Sequence, residues 1–150
     1  MIKLGKPITR DIEADLLRVV DAFAADDRVD AVWLFGSRAR READALSDVD
    51  IAVLARADLE RDALWQAQLH WNGIAVTILC TDDASVQVLN RLPVAVREPM
   101  LRDARLLWSR APERAADFSA ATLKQYLDLK PYLEQYDQEL FRQAISGTLR

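Results

Sequence analysis

The sequence predicts an α/β domain of short buried strands alternating with amphipathic helices, followed by a helical tail. Three observations carry this. Two apolar runs, Val29–Phe35 and residues 49–54, flank a polar, charged loop, and short apolar runs bounded in this way read as buried strands. Before and after the pair, apolar residues recur at helical spacing: Ile12, Leu16, Val19, Val20 and Phe23, then Leu59, Ala63, Ala67 and Trp71. The chain has 150 residues, 51% of them apolar, which is enough to build one core and too much for a disordered segment.

Taken in order, Thr9 caps a first helix that packs on the sheet. Val29–Phe35 is the first strand and residues 49–54 the second. Asp58 caps a second helix, which Asn72-Gly73 stops. Residues 74–80, rich in β-branched side chains, then form a third strand. Asp82 and Asp83 cap a helix over 84–92, which Pro93 breaks, and Pro99 breaks the stretch again. Pro112 divides a core, residues 1–111, from a tail, residues 112–150. In the tail Phe118, Leu123, Leu127, Leu133, Tyr136, Leu140 and Ile145 suggest one long helix or two, with Pro131 kinking it. Tyr126, Tyr132, Tyr136 and Phe141 fit either packing on the core or a partner-binding surface.

Composition narrows the function. A net charge of −4 and a pI near 5.0 argue against a general nucleic-acid binder. No apolar run is long enough to span a membrane, and the first residues lack the apolar centre of a signal peptide. Cys80 is the single cysteine, so no internal disulfide forms, and a reducing cytoplasm is the expected location. Cys80 reads as a buried structural thiol. His70 is the only histidine, which leaves zinc sites and Ser-His-Asp triads little to build on. It reads as an ordinary surface or packing residue.

The chemistry concentrates between the first two strands. Asp48 and Asp50 are two apart at the mouth of the second strand and so project from one face. Paired carboxylates repel each other, and a hard cation such as Mg²⁺ resolves the conflict. Gly36 exposes backbone N–H groups to an incoming phosphate, Ser37 adds a hydroxyl donor, and Arg38, Arg40 and Arg41 supply positive charge.

Gly36-Ser37, a ten-residue spacer and Asp48-Val49-Asp50 resemble the signature of the nucleotidyltransferase superfamily that includes DNA polymerase beta. The text around it, Phe35-Gly36-Ser37-Arg38-Ala39-Arg40 and Ser47-Asp48-Val49-Asp50, resembles the minimal nucleotidyltransferases, or MNT proteins. Residues 101–108 resemble the last piece of that domain, with Ala104 in the place of a glycine. The resemblance implies a small mixed sheet flanked by helices, with the Gly-Ser turn beside the two aspartates. It implies Ser37, Asp48 and Asp50 as catalytic residues. Asp48 and Asp50 would hold Mg²⁺; Gly36, Ser37, Arg38 and Arg40 would hold the phosphates of ATP.

Active members usually carry a third carboxylate on the third strand. With that strand at 74–80, Thr77 occupies the place, and Asp82 is the nearest acid that could substitute. Stand-alone proteins similar to this chain, whose tails resemble residues 126–134, pair with a HEPN-type RNase toxin. They neutralise it by transferring AMP to one of its tyrosines. The resemblance therefore implies the antitoxin half of such a pair, with ATP and the toxin as substrates. A homo-oligomer and a hetero-oligomer with the toxin both remain open. So does a weakened enzyme that inhibits its partner by binding alone, and transfer to a small molecule such as an aminoglycoside.

Overall fold

A computed structural model describes residues 12–36, 38–39 and 48–147. Its elements are α1 (Ile12–Ala24), β1 (Val29–Phe35), β2 (Val49–Ala55), α2 (Arg61–Leu79), β3 (Ala84–Val88), α3 (Val94–Arg102), β4 (Arg105–Ser109) and α4 (Pro112–Ser146). A 3-10 turn, Leu89–Arg91, links β3 to α3. The strands form one sheet in the order β3-β2-β1-β4. β1 pairs antiparallel with β2 and with β4, whereas β2 and β3 are parallel. The sheet is therefore mixed, with helices on both faces.

Side-chain alternation along the strands sets the layers. Val32 and Leu34 of β1, Val49, Ile51 and Val53 of β2, and Ala84, Val86 and Val88 of β3 bury one face under α1 and α2. Leu16, Val19 and Phe23 come down from α1, and Leu64, Ala67, Trp71, Ala75 and Leu79 from α2. The rings of Phe23 and Trp71 meet at 6.2 Å. The opposite face carries Ala31, Trp33, Ala52 and Leu54, covered by Leu89, Ala115, Phe118, Met100 and Leu101. Arg110 closes the base of the sheet, donating to the carbonyls of Val29 at 3.0 Å and Asp26 at 2.9 Å.

Several expectations are corrected. Residues 74–79 are not a strand: α2 runs from Arg61 to Leu79, straight through Asn72-Gly73. The stripe of buried residues at spacings of three and four continues to Leu79 and outweighs the β-branched composition. Asn72 does not stop the helix because its side chain is engaged elsewhere. Its Oδ1 accepts the Val86 amide at 3.0 Å, and Gln68 accepts that of Val88 at 3.0 Å. Two α2 side chains thus satisfy backbone donors of edge strand β3.

Cys80 is the true end of α2, in the left-handed region at φ 53°, and it is exposed rather than buried. Asp58 pairs with Arg56 at 2.6 Å instead of capping α2, whose N-cap position is Glu60. Residues 84–88 are strand, not helix, and Asp82 and Asp83 form the turn that enters it. Pro93 precedes α3, while Pro99 lies within it. The tail is a single helix of 35 residues with Pro131 inside. Thr9 falls outside the described residues.

Candidate active site

The site lies where β1 ends and β2 begins. Phe35, the last residue of β1, pairs with Asp50. The chain then turns at Gly36, which adopts φ +76°, a conformation strained for any residue with a side chain. A Cβ built on Gly36 would stand 2.8 Å from Asp50 Oδ2. The glycine backbone is thus laid against the carboxylate, and only a residue without a side chain permits that approach. On the other flank, Ser85 of β3 is the parallel partner of Asp50, and its hydroxyl donates to Asp50 Oδ1 at 3.1 Å. Asp50 stands on the middle strand of three, held between a bare backbone and a hydroxyl.

Asp48 precedes β2 and is exposed; Asp50 is half-buried. Asp50 belongs to the even-numbered set of β2 that shares a face with Ala52 and Leu54, and Asp48 stands one residue before the strand. Arg38 is half-buried in the turn after Gly36. Ser37, Arg40 and Arg41 lie outside the described residues. Asp82 is exposed, one turn before β3. The Val49 amide donates to the Asp83 carbonyl at 3.0 Å, so this turn borders the same end of the sheet.

Thr77 has no part in this site. It is exposed on α2 and lines a shallow groove with His70, Gly73, Ile74 and Ile78. The residue that faces Asp50 from the third strand is Ser85, which sequence reasoning missed. A signal for it was present: Ala84, Val86 and Val88 alternate with Ser85 and Gln87, the pattern of a half-buried strand.

The donor chemistry fits a small hard cation. Two carboxylates and a hydroxyl gather at one end of the sheet, and Gly36 keeps a cradle open where a side chain would intrude. Among the described residues no group of three or more His, Cys, Asp or Glu side chains comes together. Such a set suits Mg²⁺, which retains several waters and completes its shell with phosphate oxygens.

A mixed sheet with a glycine turn set against a carboxylate at its open end agrees with the nucleotidyltransferase fold that the sequence resemblance implies. The family model for polymerase beta nucleotidyltransferases matches residues 18–113, and the chain belongs to that family. No curated protein sequence matches it. Among solved structures, a chain from a toxin–antitoxin crystal structure with AMP-PNP superposes with a TM-score of 0.68 at 19% identity, over 86% of this chain and 98% of that one. A chain from a tri-AMPylated Shewanella oneidensis HEPN toxin in complex with MNT antitoxin gives 0.63 at 19% identity, over 86% and 95%. One from an MntA–HepT toxin–antitoxin crystal structure gives 0.66 at 18% identity, over 86% and 98%. At such identities the likeness establishes the fold.

Proposed function

We propose that this chain is a Mg²⁺-dependent nucleotidyltransferase that transfers AMP from ATP to a tyrosine of a HEPN-type RNase partner, and so acts as its antitoxin. The observation that carries the reading is the close approach of the Gly36 backbone to Asp50, with Asp48 two positions earlier at the mouth of β2. Solved structures of the same fold, which include an AMPylated HEPN toxin complex and an AMP-PNP complex, support the choice of substrate and acceptor.

In this reading Asp48 and Asp50 hold Mg²⁺, whose charge when bound offsets that of the triphosphate. The backbone at Gly36, with Ser37, Arg38 and Arg40, binds and orients the phosphates. The acceptor tyrosine oxygen bonds to the α-phosphorus and gives up its proton to solvent as the bond to pyrophosphate breaks. Positioning and charge neutralisation supply the rate. Residues 1–111 carry this chemistry; within residues 112–150 the start of α4 packs on the sheet through Ala115 and Phe118, and the rest carries partner contact. Supporting that division, α4 exposes Leu127, Tyr132, Tyr136, Phe141 and Ile145, each at least 55% accessible.

A second reading is that the chain inhibits by binding alone. It is favoured by the neutral Ser85 beside Asp50 and by that exposed apolar helix. One experiment separates them: intact-mass analysis of the protein encoded beside this one after incubation with this chain, Mg²⁺ and ATP. An AMP-sized gain that Asp48→Asn/Asp50→Asn abolishes establishes the transferase. A stable complex with either version and no mass gain establishes the binding module.

A further inference from the structure

Asp50 faces Phe35 across the β1 ladder and Ser85 across the β3 ladder, and of these two register partners Ser85 carries the polar side chain. The two are register partners on adjacent parallel strands, a separation of about 4.8 Å between strands. Both point to the face away from α1 and α2, because their neighbours Ile51, Val53, Val86 and Val88 fill the core beneath those helices. The Ser85 hydroxyl takes Asp50 Oδ1 at 3.1 Å, while Oδ2 lies over Gly36. Each oxygen of the carboxylate is therefore located by a different strand end.

We propose that Ser85 is a positioning residue of this site: its hydroxyl sets the orientation of the Asp50 carboxylate, and its neutrality keeps a third carboxylate off the β3 register position beside Asp50. The proposal rests on the reading of Asp48 and Asp50 as cation ligands and adds a determinant of how strongly they bind. A hydrogen bond to one carboxylate oxygen fixes the plane of the group and so aims the other. Two carboxylates balance one divalent ion. A third at position 85 would stand across the ladder from Asp50, within reach of the same ion, and cation affinity rises with the number of charged ligands.

The test uses Mn²⁺ as the probe, without nucleotide, titrated against the full chain by water-proton relaxation. Thermal melts check that each variant folds. Ser85→Asp should tighten Mn²⁺ roughly tenfold, and Ser85→Ala should weaken it by a similar factor. Ser85→Thr, which keeps the hydroxyl, should restore the native value. Folded Ser85→Asp and Ser85→Ala variants that both bind within twofold of the native chain overturn the proposal. So does a Ser85→Ala loss that Ser85→Thr fails to rescue. If Asp48→Asn/Asp50→Asn leaves Mn²⁺ binding unchanged, the cation site itself is wrong, and Ser85 falls with it.

Discussion

Gly36 and Asp50 are locked together: a Cβ on the glycine would lie 2.8 Å from the carboxylate oxygen Oδ2, and the glycine already sits at φ +76°. Gly36→Ala therefore carries two penalties. The left-handed backbone costs an L-residue about 1–2 kcal/mol, and the methyl displaces the carboxylate. We expect lower denaturant stability by about that amount, with a roughly tenfold or larger loss of Mg²⁺-dependent nucleotide affinity in calorimetry. Native affinity in a folded variant would show that nothing binds over this turn.

The carboxylate pair makes a sharper prediction. Asp48→Asn with Asp50→Asn should abolish Mg²⁺-dependent nucleotide binding, since neither amide can stand in for an anionic ligand. Thr77→Asp should leave both binding and transfer unchanged, because Thr77 is exposed on α2, away from the strand that faces Asp50. A gain of activity in Thr77→Asp would contradict the placement of β3.

Asp26 should make the fold sensitive to acid. Its carboxylate accepts Arg28 Nη2 at 2.7 Å, Arg28 Nε at 2.9 Å and Trp71 Nε1 at 2.9 Å. The Arg28 guanidinium foremost, then the Trp71 indole, holds it well below the usual carboxylate range against the opposing effect of burial. A depressed folded value contributes stability above the unfolded carboxylate pKa of about 4, and the contribution is lost as pH falls below it. Asp26→Asn should cost about 1–3 kcal/mol at pH 7. The gap from the native chain should shrink in urea melts taken between pH 4 and pH 2. A constant gap would mean the charge of Asp26 is not what matters.

The long helix should separate into two functional parts. Removing residues 112–150 deletes Ala115 and Thr122, which are buried, and Phe118, whose ring meets that of Trp33 at 6.3 Å in a tilted contact; the domain should lose its melting transition. Removing only residues 130–150 should leave the melting temperature within a few degrees and nucleotide binding intact, while partner capture is lost. Retained capture by the shorter chain would place the partner contact elsewhere.

Much of this architecture is readable in the residues. β1 matches the expected run, β2 extends it by one residue, and the helical stripe from Leu16 to Phe23 is buried as its spacing requires. The errors cluster at 72–88, for a physical reason. Asn72-Gly73 carries a helix-stop composition, yet Asn72 serves the Val86 amide of β3, a long-range role that local pattern cannot reveal. The β-branched run behind it has the composition of a strand, and the real strand, five residues long, follows two aspartates that have the look of a helix cap. Displacing the third strand moved the residue opposite Asp50 from Ser85 to Thr77. The approach of Gly36 to Asp50 is legible because the two lie close together in the sequence. Ser85 is not, because its place depends on pairing across 35 positions of sequence.

The outer half of α4 has a consequence for dynamics. Its amides are protected by intrahelical bonds alone wherever no other described element packs over it, and Pro131 lacks the amide that would bond the Leu127 carbonyl. Hydrogen exchange should therefore be slow near Thr122 and accelerate toward Ile145, a gradient of local opening along one helix. A partner that closes over Tyr132, Tyr136 and Phe141 would flatten that gradient. Binding would then register as protection of backbone amides far from the nucleotide, before any covalent change in the partner is measured.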